Sequence, residues 1–214
     1  MKKIALGILA LIAVAVLAVL GLASTKPDHI HVERTVEIAA TAADMAPFAE
    51  DLRKVQMWSP WNEKDPTLVP TYSDPSTGVG ATYSWKGNDQ VGEGSMTTTS
   101  SVPGKVVHHL HFIAPFEGQA DATIAYEEAG DGLTVVWSYD DPAALFMTKV
   151  MTVFVDMDDM LGPDYEKGLK KLKPLVEAAA AERMAAEKAA ADKAAAEATA
   201  AAEGAEDGET PAPE

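Results

Sequence analysis

The sequence predicts an α+β domain in which a curved antiparallel sheet wraps a helix. Three observations carry this expectation: a β-rich segment followed by a helical one near residue 30, six short strand candidates divided by turn residues between 67 and 139, and apolar residues at helical spacing after 141. Strands framed by helices define the class, and a helix with an apolar stripe must bury it on the sheet.

HIHVERTVEI (29–38) alternates and is β-rich, so it reads as the first strand. Met45, Phe48, Leu52 and Val55 recur at helical spacing over 40–55, with Thr41 or Asp44 available as a cap. Strand candidates follow at 67–73, 80–86, 92–102, 105–114, 119–128 and 132–139. Gly87-Asn88, Pro103-Gly104, Pro115 to Gly118 and Gly130 to Gly132 punctuate them as antiparallel hairpins. Phe146, Val150, Val153, Met157 and Met160/Leu161 then predict a long amphipathic helix. Gly162-Pro163 interrupts it, and Pro163 suits the first position of a further helix bearing Tyr165, Leu169 and Leu172.

Both ends differ from this middle. Residues 4–23 are an uncharged apolar run of 20, about 30 Å as a helix and so long enough to cross a bilayer. Lys2 and Lys3 precede it, which places the N-terminus in the cytoplasm and the chain after residue 24 on the other side of the cytoplasmic membrane, as a single-pass protein. A retained anchor over 1–24 and a cleaved signal peptide ending at Ala23 both fit, and the length favours the anchor. From Ala178 to 214 the chain is rich in alanine, with Glu-Arg, Glu-Lys and Asp-Lys pairs five residues apart. This predicts a solvated helix to about Ala202 without an apolar stripe, then a disordered end; a protein partner for this tail is the functional alternative. The folded domain is expected over 28–177.

A net charge of −16 excludes nucleic acid and electrostatic docking on anionic lipid, since both need a basic patch. No cysteine is present, which excludes a disulfide framework and a lipid-modified cysteine.

The order of elements, with WSPWNEKDP (58–66), GATYSWKGNDQVGEGSM (80–96), HFIAPFEG (111–118), LTVVWS (133–138) and MDDMLGPDYEKGLKKLK (157–173), resembles the polyketide cyclase/dehydrase-type members of the START/SRPBCC superfamily over roughly residues 28–177. The resemblance implies the helix-grip fold, a seven-stranded sheet curled around a long C-terminal helix, with a deep apolar cavity between them. It transfers no catalytic signature.

Trp58 and Trp61 stand at i, i+3 on one side of a short helical turn, with Pro60 suited to its start. They read equally as an aromatic lid over the cavity or as a structural plug. Alternation and helix spacing place Tyr83, Trp85, Leu110, Phe112, Trp137 and Tyr139 opposite Phe146, Val150, Val153 and Met157 around one apolar space. His29/His31 and His109/His111 are i, i+2 pairs of the kind that bind metals, but strand parity turns His109 and His111 away from the cavity if Leu110 and Phe112 face it, so no metal is expected. Glu93, His108 and Asp121 are acid/base candidates without fixed mutual geometry, and no nucleophile elbow occurs. The expected function is an exported, anchored domain that binds a hydrophobic small molecule or lipid without a cofactor. The rivals are a cyclase-like enzyme on an aromatic substrate and a non-catalytic envelope interaction domain.

Overall fold

The computed structural model describes residues 2–142 and 146–206. An N-terminal helix, α1 (Lys2–Ser24), leads into β1 (Ile30–Ile38), the helices α2 (Ala42–Glu50) and α3 (Leu52–Trp58) and a 3₁₀ turn (Trp61–Glu63). Six strands follow: β2 (Thr71–Tyr72), β3 (Thr82–Lys86), β4 (Glu93–Val102), β5 (Lys105–Ala114), β6 (Gly118–Ala129) and β7 (Gly132–Asp141). The chain continues through α4 (Phe146–Met151) into the long α5 (Met157–Glu206).

All seven strands form one antiparallel sheet in the order β1-β7-β6-β5-β4-β3-β2. Hairpins generate β2 to β7 in sequence, and β1 joins the last strand, with Ile30 opposite Asp141 and Ile38 opposite Leu133. Register shifts in β4 at Glu93/Gly94 and Thr98/Ser100 mark bulges that bend the strand and curl the sheet. The concave face is the buried one: Ala120, Ala122, Ile124 and Tyr126 alternate along β6, and Leu133, Val135 and Trp137 along β7. This is the α+β architecture that the pattern of strands and helices predicts, and the helix-grip fold that the resemblance implies.

The gripped helix is α5, whose buried residues Tyr165, Leu169, Leu172, Val176 and Ala180 form a stripe at spacings of three and four. The long helix expected from Phe146 to Leu161 is not formed. Instead α4 stops at Met151, and α5 begins after Asp156, whose carboxylate accepts the Asp158 N–H at 2.8 Å as an N-cap. Two features of the sequence explain the break: the β-branched residues Thr152, Val153 and Val155 disfavour helix, and Asp156 supplies a cap. Pro163 falls inside α5 rather than at its start, as does Pro174. Arg34 of β1 holds the first turns of α5, with bidentate bonds to Asp158 at 2.7 and 2.8 Å and one to Glu166 at 2.8 Å.

Packing does not end at Glu177. Ala180 is buried, and Arg183 donates to the buried Asp44 carboxylate at 2.9 and 3.1 Å. Asp44 also accepts from the Thr41 N–H and hydroxyl in a capping box at the start of α2. The first turn of the alanine-rich tail is therefore part of the domain. Beyond it, as far as Thr199, α5 is exposed and carries i, i+4 pairs such as Lys188–Asp192.

Candidate ligand-binding cavity

Between the concave sheet, α3 with its 3₁₀ turn, and α5 lies a cavity of about 120 Å³. An aromatic cluster forms one side. Trp137 of β7 stacks on Tyr165 of α5 with ring centroids 3.9 Å apart, and the edges of Trp58 and Trp61 meet Trp137 at 4.7 and 5.8 Å. Gly168 makes this approach feasible, since a Cβ there would lie 2.6 Å from the Trp137 ring. On the other side Tyr83 stacks on Trp85 at 5.5 Å, and Trp85 meets Phe112 edge-on at 6.2 Å. Gly94 leaves room for the Trp85 ring, which a Cβ at that position would meet at 2.6 Å.

Of the twelve residues expected to line or cover the apolar space, seven line this cavity: Trp58, Trp61, Tyr83, Trp85, Leu110, Phe112 and Trp137; the acid/base candidate His108 lines it as well. The other five do not. Tyr139 is half-buried against the core but outside the lining, while Phe146, Val150, Val153 and Met157 belong to the segment before the gripped part of α5. The reason is the helix break at Asp156, which moves the facing role to Tyr165. Alternation on β6 does indicate Ala122 and Ile124, which complete the floor, and the helical spacing over 40–55 includes Val55, whereas Gln56, Asn62, Leu68 and Val91 lie at positions that carry no periodic signal.

Trp58 and Trp61 have different roles. Trp58 is fully buried; it donates its indole N–H to the Phe48 carbonyl of α2 at 3.2 Å and sets its edge against Trp137 of the sheet, so it joins α3 to both. Trp61 is half-buried on the 3₁₀ turn. That turn is fastened to α5 by ion pairs from Glu63 to Lys167 at 2.5 Å and Lys171 at 3.0 Å, and by Lys64 to Asp164. The loop after this turn is fixed by Asp65, whose carboxylate accepts from Thr67 and from the Asn88 N–H and so ties it to the β3–β4 turn.

The polar groups in the wall are occupied or neutral. His108 is buried; its Nε2–H donates to the Ala49 carbonyl at 3.1 Å, which leaves Nδ1 to accept from the Thr98 hydroxyl at 3.1 Å. Burial pushes its pKa down to about 4, so it is a neutral structural imidazole. Burial also raises the phenols of Tyr83 and Tyr165. The other acid/base candidates lie elsewhere, Glu93 paired with Lys86 at 2.8 Å and Asp121 with His109 at 2.9 Å.

Three of the four paired histidines, His29, His31 and His109, engage carboxylates on the convex face. His31 Nδ1 lies 2.6 Å and His29 Nε2 3.5 Å from Asp140. His31, Asp140, Asp121 and His109 occupy one row across β1, β7, β6 and β5. Among the described residues no group of three or more such side chains is placed to hold a metal ion.

No family model matches the chain, and no curated protein matches it in sequence. Its architecture is similar to that of many solved chains. One is an uncharacterized protein from Rhizobium leguminosarum, at 15% identity and a TM-score of 0.50, covering 70% of this chain and 95% of that one. Another is the Aha1 dimer from Colwellia psychrerythraea, at 15% identity and 0.47, covering 69% and 96%. A third is a protein from Chromobacterium violaceum, at 15% identity and 0.49, covering 71% and 99%. The Rhizobium likeness agrees with the helix-grip fold and extends no further than the fold.

Among the described residues one helix, α1, is long and apolar enough to span a membrane or to be a signal sequence.

Proposed function

We propose that this chain is an anchored, exported member of the START/SRPBCC superfamily that holds a compact apolar molecule in the cavity between its sheet and α5. The observation that carries the reading is the cavity wall: apart from the uncharged Gln56, Ser59 and Asn62, aromatic and aliphatic side chains surround the space, and its one imidazole is already bonded on both nitrogens. Such a wall supports binding over catalysis, because acid/base chemistry needs a titratable group free to exchange a proton with the substrate.

Size narrows the ligand. Pockets for drug-sized molecules measure about 300–1,000 Å³, and an engineered apolar cavity of about 150 Å³ takes benzene. At about 120 Å³ this one accepts a single ring or a short branched chain. A longer lipid requires the Trp61 turn to move.

For the anchor, the support is α1 itself, whose leucine, isoleucine and valine side chains face outward along the helix, together with its contact to α4. Lys2 and Lys3 at its start orient the domain to the non-cytoplasmic side.

Thermal unfolding of the full chain in detergent, with and without toluene, tests the binding reading. A ligand that binds only the folded state raises the midpoint. Ala122→Phe fills the floor of the cavity; the expected result is a toluene shift in the wild type, none in the variant, and little change in the variant's own stability. No shift in either, with a cost of about 1–3 kcal/mol for the substitution as in an overpacked core, overturns the proposal.

A further inference from the structure

We infer that one end of the domain rests in the interface of the membrane that α1 crosses, with the segment 146–155 and the β5–β6 turn dipping into the lipid headgroup boundary. This rests on the anchor reading of α1. Two independent observations lead to it: the place where the chain enters the sheet, and where the exposed apolar side chains lie.

Chain geometry fixes the first. Only residues 25–29 separate Ser24, the last residue of α1, from Ile30, the first of β1, and six steps of chain reach at most about 20 Å. The register then identifies which end of the sheet is held close: Ile30, Asp141, Gly118, Ala114, Glu93 and Lys86 all lie at that end. Further restraint comes from α4, which packs against α1, and from Lys149, which bonds Asp28 in the connection at 2.5 Å.

The second observation is exposure. Phe154, 70% exposed, and Phe116, 56% exposed, stand at this end with Phe146, Met151 and Val155, all open to solvent. A soluble monomer seldom leaves so many large apolar side chains together, and aromatic and aliphatic side chains of this kind insert about 5–10 Å into the headgroup and acyl boundary. Charge selects the lipid. Asp156, Asp158 and Asp159 adjoin the segment, and Lys149 is already paired, so the contact is apolar and works on zwitterionic lipid without anionic attraction.

The absence of native cysteine makes single labels possible. The full chain, reconstituted in phosphatidylcholine vesicles, would carry an NBD fluorophore through Phe154→Cys or Phe116→Cys, with Ile12→Cys in mid-α1 and Val102→Cys at the far end of the sheet as references. Two sets of lipids are the quenchers, one brominated near the glycerol end of the acyl chains for the labels at 154, 116 and 102, and one brominated near the methyl end for the label at 12. Labels at 154 and 116 are expected to lose about half of their emission or more, as fits a depth of 5–10 Å, while the label at 102 keeps its emission. If position 12 is quenched but 154 and 116 are quenched no more than 102, the surface contact is overturned and the anchor stands. If position 12 is not quenched either, the anchor reading itself falls.

Discussion

Trp137 and Tyr165 lie face to face, centroids 3.9 Å apart and planes inclined by 21°, and this contact joins the last strand of the sheet to the helix it grips. Both side chains are buried, and the same rings wall the cavity. Tyr165→Ala therefore removes core packing, and its expected cost is about 3–5 kcal/mol, the range for losing a large buried aromatic. Tyr165→Phe keeps the ring and should cost much less. Denaturant unfolding of the two variants checks the order.

Arg183 and Asp44 make the start of the tail structural. A chain ending at Glu177 loses this ion pair and the buried Ala180, and should unfold at lower temperature than one ending at Glu187. Arg183→Ala alone should cost about 1.5–3 kcal/mol, the value of a hydrogen bond to a charged group. Equal midpoints for the two truncated chains would show that the tail's first turn contributes nothing.

Acid should weaken the fold in two windows. Burial holds the folded-state pKa of His108 at about 4, below its ordinary 6.5; the unfolded chain thus takes up the proton first, and stability falls as pH drops from 6.5 towards 4, by up to about 1.4 kcal/mol per pH unit. Arg183 and Thr41 hold Asp44 at about 2, so its contribution, present above the ordinary carboxylate pKa, is lost as pH falls from about 4 to 2. His31, whose pKa Asp140 raises, acts in the opposite sense. Comparison of the wild type with His108→Gln between pH 7 and 4 isolates the first window, and the variant's curve should be the flatter.

The 3₁₀ turn that carries Trp61 is held to α5 by the Glu63 and Lys64 ion pairs, most of whose partners are substantially exposed. Exposed pairs contribute little each and are screened by salt. Lys167→Ala combined with Lys171→Ala should speed exchange of a bound apolar probe with about unchanged global stability, and raising the salt concentration should speed exchange in the wild type but less in the variant. Stopped-flow release rates report both.

Local pattern was enough for most of the strands, because alternation and turn residues act over a few positions: residues 105–114 read as a strand and form β5, and 92–102 contains β4, but of the strand expected over 67–73 only Thr71–Tyr72 pairs as β2. It also grouped Leu110 and Phe112 on one face of β5, which is the face that lines the cavity. The helix after the sheet was decided by tertiary structure. Apolar spacing over 146–161 matches that of a core helix, but the periodicity of a side-chain pattern does not say what will cover it. The sheet covers Tyr165, Leu169 and Leu172 instead, because a capped start at Asp156 and the Arg34 ion pairs fix where α5 meets β1. Trp61, Leu68 and Val91 reach the cavity from a short turn and loops, and Tyr165 reaches it past Gly168. Such contacts depend on residues far apart in the chain being brought within a few ångströms, which no local spacing encodes.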